Sequence, residues 1–434
     1  MNIVVLGLWH LGSVTAACLA ELGHSVIGFD ESEEVVRMLQ LGVSPVSEPG
    51  LNELLSQNLS TGRLKFVSQL DSETAYDALW VTIDTPVDDN DHGQVEVVTN
   101  LITQAILSVP QDCRIIISSQ LPAGTTQKIR STLNEHLTKR NITLCYSPEN
   151  LRLGSAIKVF MDPDRIVVGI DSETDRKQFE PLFASISDRI EWMSIVSAEM
   201  TKHAINAFLA ISVVFANEIA TLAEFEGANA SDIARGLRSD VRIGPKAYVL
   251  PGDSFAGGTL ARDIRYLEDK SLMHSHSLPL ISSVIPSNDG HANWAQNKID
   301  QLIGDVRDKT FTICGLTYKV GTNTLRRSSA ISLGDWLLSH EAILRVFDNE
   351  DVLMPAHWNG RVTRLDSIND SLNDTDVLVI GAGFVAPATA IHSNSTSLSN
   401  KTVLALDAGR RWPSLDQMKN VEYVFVGKER HRDE

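Results

Sequence analysis

The chain opens with a short apolar run, Ile3-Val4-Val5-Leu6, that meets Gly7-Leu8-Trp9-His10-Leu11-Gly12. An Ala-rich segment of helical period follows, then a second β-type run over residues 24–29 that ends on Asp30. Strand, glycine turn, helix, strand and terminal acid is the order of a dinucleotide-binding βαβ unit. It is the strongest constraint in the sequence, because such a turn must reverse within a few residues and aim a helix N-terminus at a phosphate. The outer glycines are present. The middle position, where glycine lets the backbone approach a pyrophosphate, is Trp9. Asp30 stands about 20 residues on, where a carboxylate meets the ribose hydroxyls. Glu31, Glu33 and Glu34 would repel a 2′-phosphate, so NAD is expected rather than NADP. The plain alternative is a βα unit whose glycines serve packing alone.

Further β-type runs at residues 78–83, 114–118, 143–146 and 165–168 alternate with helical segments, which predicts a doubly wound α/β domain to about residue 195. Beyond it the β signal disappears. Ser197 is placed to cap a helix over 198–220, and 222–226 and 231–237 continue in helical period. Residues 283–290, with Pro286, Ser287, Asn288 and Gly290, interrupt the pattern. A second α/β unit starts at Lys309, reaches Gly315, and has β-type runs at 342–347, 377–380 and 403–406, the first ending on Asp348. Residues 427–434 read as a frayed polar tail. The expected architecture is α/β: two Rossmann-like doubly wound domains, 1–195 and 306–434, joined by a helical middle domain, 196–305.

Composition narrows the function. A net charge of −17 over 434 residues opposes a nucleic-acid polymer or an anionic membrane surface as partner. Cys18, Cys113, Cys145 and Cys314 are far apart, so neither a zinc site nor a disulfide framework is indicated. No basic segment precedes an apolar core at the N-terminus. The most apolar stretch, 204–220, carries Asn206, Asn217 and Glu218 and is short against the about 20 residues of a bilayer span. It reads as a buried helix. A cytoplasmic protein with no membrane partner is expected.

A series of ordered motifs, spread over nearly the whole chain, resembles the UDP-glucose/GDP-mannose dehydrogenases. These oxidise the C6 alcohol of a nucleotide sugar to a carboxylate with two NAD. Ser47-Glu48-Pro49-Gly50-Leu51 resembles the family's Glu-Pro-Gly-Leu turn, Thr85-Pro86 its Thr-Pro, and Pro122-Ala123-Gly124-Thr125-Thr126 its Pro-Val-Gly-Thr-Thr. Ser147-Pro148-Glu149-Asn150-Leu151-Arg152 and Asp162-Pro163-Asp164-Arg165-Ile166-Val167 resemble its Pro-Glu-Phe-Leu-Arg and Pro-Asp-Arg-Ile-Val. The resemblance implies NAD at Gly7, Trp9, His10, Leu11, Gly12, Asp30, Thr85, Pro86 and Gln120. It implies a UDP-sugar against Glu149, Leu151, Arg152, Lys202, Asn206, Phe255, Gly257, Lys319 and Arg326. Arg242, in Asp240-Val-Arg-Ile-Gly244, would reach substrate from a neighbouring subunit of a homodimer. Glu149, Lys202, Asn206 and Asp263 would surround the reacting sugar.

The departures fall on the chemistry. The family's nucleophile lies in Gly-Gly-Ser-Cys-Phe-Pro-Lys-Asp, where the thiol forms a thiohemiacetal that loses hydride and leaves a thioester. Aligned on Asp263, the cysteine position is Thr259, and no cysteine occurs between Cys145 and Cys314. Gln120 replaces a threonine associated with positioning water. These changes predict an oxidation that stops at two electrons, or a redox-neutral reaction through a transient carbonyl. The rival expectation is a non-catalytic nucleotide-sugar binder.

Overall fold

Asn2–Leu6 forms the first strand, β1, because its apolar side chains serve both faces of a sheet: Ile3 and Val5 enter one core, Val4 the other. This double burial is what a central parallel strand requires. In the computed structural model β1 belongs to the first of two compact units, Met1–Ile205 and Asn206–Glu434. The structure describes all residues except 72–73, 87, 89–92, 257, 321–322, 349–351, 385–400, 407–420 and 431–434, and the side chains of 371–372 and 429–430.

In the first unit β1 is followed by β2 (Ser25–Phe29), β3 (Leu64–Val67), β4 (Ala78–Val81), β5 (Arg114–Ile117), β6 (Thr143–Tyr146), β7 (Ile166–Ile170) and β8 (Ile190–Ser194). Among the described residues their order is β3-β2-β1-β4-β5-β6-β7-β8. All pairs are parallel except β6–β7, which meet at Tyr146 and Gly169. The order reverses at β1, so the crevice beyond its C-terminal end is the topological switch point where such sheets bind ligands. The helices are α1 (His10–Glu21), α2 (Glu33–Gln40), α3 (Leu51–Ser60), α4 (Val95–Ser108), α5 (Thr125–Thr132), α6 (Asn134–Lys139), α7 (Ala156–Met161) and α8 (Glu173–Ala184).

The 31-residue α9 (Ile195–Phe225) leads from the first unit into the second. There follow α10 (Ala230–Ser239), α11 (Thr259–Met273), α12 (Pro279–Ala292) and α13 (Trp294–Leu302). A second sheet has β9 (Thr310–Cys314), β10 (Ile343–Phe347), β11 (Val362–Arg364), β12 (Val377–Ile380), β13 (Thr402–Ala405), β14 (Glu422–Phe425) and β15 (Lys428–Arg430), with α14 (Ser329–Ser339) and α15 (Ile368–Leu372). Its order, β11-β10-β9-β12-β13-β14-β15, again reverses at the first strand of the unit, and only β14–β15 is antiparallel among the described residues. Two Rossmann-like sheets and the helical stretch after the first agree with the expected class.

Four local expectations are corrected. α9 begins at Ile195, and its cap is Ser194, whose Oγ accepts from the Ser197 N–H at 3.2 Å, so Ser197 is three residues inside the helix. With this start and its extension to Phe225, α9 is long and apolar enough to cross a membrane, unlike the shorter stretch read from the sequence. Residues 283–290 lie inside α12. Val284 and Ile285 are buried with Ile264, Ala207 and Ala210, and the Asn288 amide bonds both backbone groups of Phe255; this tertiary anchoring outweighs the bond that Pro286 removes. Residues 428–430 form β15 rather than a frayed tail. The turn at Gly427 (φ +83°) is docked, its N–H on the Glu224 carboxylate at 2.8 Å and its carbonyl accepting from Ala230 N.

Two predictions follow from buried carboxylates. Glu224 also accepts from Trp294 Nε1 (3.0 Å) and pairs with Lys298 at 2.7 Å, both side chains being almost wholly buried. Lys298→Ala leaves that charge unpaired and is expected to cost about 3–5 kcal/mol in urea unfolding. Glu199, on α9, is buried and accepts from Gly124 N (2.6 Å) and Thr126 N (2.8 Å) at the start of α5. Burial raises its carboxyl pKa, against those bonds and His203, which lower it. A raised carboxyl contributes stability at pH below its ordinary value, and loses it as pH rises through the raised value. Relative to Glu199→Gln, the wild type should therefore weaken as pH rises above the ordinary carboxyl value of about 4.5; parallel stability curves would show the carboxylate is not held this way.

Candidate functional site

The glycine turn explains itself sterically. Gly7 has φ +90°, and a Cβ there would meet the Ile83 backbone at 3.0 Å. A Cβ on Gly12 would lie 1.7 Å from the Gly7 carbonyl oxygen, so α1 packs onto the turn as only glycine permits. Trp9 needs no such freedom. It is the N-cap of α1 with φ −72°, and the residue is 51% exposed rather than folded into the turn. Between them Leu8 is fixed by both peptide groups: its N–H donates to Asp30 Oδ2 (2.8 Å) and its carbonyl accepts from Ser13 Oγ (2.7 Å). Thr82 Oγ1 donates to the Gly7 carbonyl at 2.8 Å.

The first helical bond of α1 runs from Ser13 N to Trp9 O, so the N–H groups of His10, Leu11 and Gly12 have no intrahelical partner. They stand at the positive end of the helix, beyond the C-terminal end of β1, and suit a pyrophosphate. Asp30 closes β2 with a carboxylate whose other oxygen accepts from Ser32 N (3.0 Å), a fixed acceptor for ribose hydroxyls. The residues present fit a dinucleotide.

The loops after β4, β5 and β6 complete this edge. Thr85 is buried and donates to the Gln120 carbonyl at 2.6 Å, joining two of the expected cofactor residues, and Pro86 accepts from Gln94 N. Glu149 Oε2 accepts from Leu151 N (2.7 Å). Lys202 Nζ donates to the Glu149 carbonyl (2.7 Å) and to Oε1 (3.1 Å), so this pair, chosen from motifs 53 residues apart, meets. Leu151 lines a cavity of about 70 Å³ with Leu11, Trp80 and Phe160, while Arg152 is exposed. Sequence reasoning missed two organising acids. Glu199 holds the turn after Gln120, with His203 donating to the Leu121 carbonyl at 2.9 Å. Glu48 holds the start of α7 and touches His10. Both lay inside quoted or neighbouring motifs, but nothing in the chain order says which backbone they face.

In the second unit Asn206 Nδ2 donates to Asp263 Oδ2 in a short bond, both residues buried. Asp263 is four residues after Thr259, which is exposed as the first residue of α11. The preceding loop is clamped by side chains that the sequence did not single out. Asn217 accepts from Gly252 N (2.9 Å), His291 Nε2 donates to Gly252 O (2.8 Å), and Asn288 pairs with Phe255 at 2.8 and 3.1 Å. Burial lowers the His291 pKa, which keeps it a neutral donor. Gly257 lies outside the described residues. Lys319 and Arg326 are exposed in the connection after β9. Arg242 is exposed and forks onto both oxygens of Asp240 (3.0 and 2.6 Å), an interaction that lowers the Asp240 pKa.

Residues 1–187 match the NAD binding domain of the UDP-glucose/GDP-mannose dehydrogenase family and residues 196–290 match its central domain. The UDP-glucose 6-dehydrogenase YwqF of Bacillus subtilis is 31% identical over 433 residues, 99% of this chain and 98% of that one. The UDP-glucose 6-dehydrogenase of Rickettsia conorii is 32% identical over 386 residues, 88% of each chain. A solved UDP-glucose dehydrogenase from Pyrobaculum islandicum superposes with a TM-score of 0.85 at 25% identity, covering 98% of both chains. Full-length identity above 30%, together with the matched NAD-binding and central domains, makes this chain a member of the UDP-glucose/GDP-mannose dehydrogenase family.

Proposed function

We propose that this NAD-dependent nucleotide-sugar dehydrogenase takes a UDP-sugar, oxidises it by two electrons per turnover, and releases a carbonyl product. The observation that carries the proposal is Thr259 at the first position of α11. Oxidising an aldehyde further needs an adduct that can expel hydride, which a thiolate forms readily and a neutral alcohol does not. A helix N-terminus favours a thiolate but cannot ionise a threonine at neutral pH. The four cysteines offer no substitute, since all are buried. Burial pushes the Cys18 and Cys113 thiols up to about 12 and raises the Cys145 thiol well above its ordinary value.

NAD, when bound, supplies the hydride acceptor. Asp30 and the first turn of α1 hold its adenosine end. Lys202, fixed by two oxygens of Glu149, stabilises the alkoxide that develops at the reacting carbon. Asp263, steadied by Asn206, holds the water that takes the hydroxyl proton. Lys319 and Arg326 bind the nucleotide, and Arg242 serves a neighbouring subunit. The homodimer forms through α9, where Phe208, Phe215 and Leu222 are exposed at seven-residue spacing, with Phe225 beyond them. Buried Glu199, Lys202, Asn206 and Asn217 on its other sides engage backbone or side-chain partners, which suits a protein seam better than lipid. The enzyme works in the cytoplasm, and its net charge of −17 opposes nucleic acid as a partner.

With UDP-glucose or another UDP-sugar, the wild type should produce one NADH per sugar and an aldehyde or ketone trapped by hydroxylamine, read by absorbance and product mass. Two NADH and a uronate would overturn the proposal. Thr259→Cys should move the stoichiometry toward two NADH with acid as product, because the helix N-terminus already favours a thiolate. For assembly, Phe208→Glu and Phe215→Glu should shift sedimentation from dimer to monomer; an unchanged sedimentation coefficient would place the interface elsewhere.

A further inference from the structure

We propose that His10 and Glu48 form a positioning link that transmits occupancy of the dinucleotide turn to the loop carrying Glu149. The link rests on the reading of that turn as an NAD site. Glu48 is the meeting point of three helix starts. Its Oε1 accepts from Ala156 N (2.8 Å), its Oε2 accepts from Gly154 N (2.8 Å) and from His10 Nε2 (2.9 Å), and its backbone carbonyl accepts from Leu51 N at the start of α3. The Glu48 side chain is 1% exposed and that of His10 19%, so the contact is shielded from water. A shielded, charge-assisted bond of this kind is directional and stronger than a surface pair.

What the link holds is a segment whose Leu151 packs on the core beside a small cavity. Residues 149–156 are tied at one end by Lys202 to Glu149 and at the other by Glu48 to Gly154 and Ala156. Between these ties lies the 70 Å³ cavity, lined by Leu11 and Thr15 from α1 and by Glu149, Asn150 and Leu151 from the loop. The cavity leaves the loop room for a small shift about these ties. His10 is the first residue of α1, and its own N–H is among those that suit a pyrophosphate. Anion binding there fixes the first turn, with it the imidazole, and through Glu48 the start of α7. Sugar-site order is then coupled to cofactor occupancy.

Hydrogen exchange read at residues 151–159 tests this without turnover. Wild type, His10→Phe and His10→Gln are compared with and without NADH, each at a concentration that saturates it by calorimetry. In the wild type NADH should slow exchange of this segment about tenfold. His10→Phe, which keeps the backbone N–H but cannot donate to Glu48, should lose most of that slowing. His10→Gln, whose amide can donate from a similar distance, should recover it. Equal slowing in wild type and His10→Phe overturns the link, as does NADH binding to both with no slowing in either. If His10→Phe does not fold, Glu48→Gln gives the same reading, since an amide cannot accept from all three donors; full NADH-dependent slowing there overturns the link as well. Failure of the wild type to bind NADH would instead remove the cofactor reading of the turn, and the link with it.

Discussion

The peptide group of Leu8 is the point on which the first unit turns. A left-handed glycine beside it ends the sheet ladder, yet Leu8 is wholly buried, so its N–H and carbonyl must find partners inside the protein. Asp30 supplies one and Ser13 the other. Because Asp30 ends β2 and Ser13 lies in the first turn of α1, satisfying one buried peptide fixes strand, turn and helix against each other. The second unit solves the same problem with the same parts. Gly315 has φ +90°, Leu316 is wholly buried, its N–H donates to Asp348 Oδ2 (2.6 Å), and its carbonyl accepts from Ser328 Oγ (2.6 Å). The acid at the end of the second strand is thus structural before it is a ligand for anything.

Carboxylates do similar work elsewhere on the first unit's binding edge. Glu48, Glu149 and Glu199 each accept from backbone N–H groups of loops that have no regular ladder to join. A carboxylate suits this role because it takes several donors at once with charge-assisted bonds. Part of the chain's acidity is therefore spent inward. On the proposed reading, the anionic substrate and cofactor would be met by helix N-termini and by Lys202, Lys319 and Arg326, local positive features within an unfavourable overall field.

The fold class was legible because its signals are periodic and local. The apolar runs before Gly7 and Gly315 and the acids that close the next strands report nearest-neighbour chemistry. What escaped was decided by distant contacts. β3 and β14 are short, and their runs become strands through their neighbours, β2 and β13. Pro286 looked like a breaker until Asn288, two residues later, was seen gripping Phe255. The Gly427 turn looked like a tail because Glu224, its partner, is 203 residues away. In the site, Glu149, Lys202, Asn206 and Asp263 followed from motifs as residues, though their pairing did not, and Glu48, Asn217, Asn288 and His291 gave no such signal. Their types are ordinary, and only the backbone groups they face give them a role.

That division bears on the missing thiol. The loop leading to Thr259 is held by Asn217, Asn288, His291 and a short bond from Ser329 to Asp253, and none of these contacts involves residue 259. Asp263 is fixed by Asn206 from one turn further along α11. The scaffold that would present a nucleophile at a helix N-terminus therefore stands independently of which residue occupies that position. Exchanging a thiol for an alcohol there removes one reactive group without requiring the loop or helix to rearrange. In the proposed reaction the first hydride transfer depends on groups that place the alcohol and the dinucleotide rather than on residue 259. On the proposed reading, loss of the second oxidation is separable from loss of binding, because the two reside in different atoms.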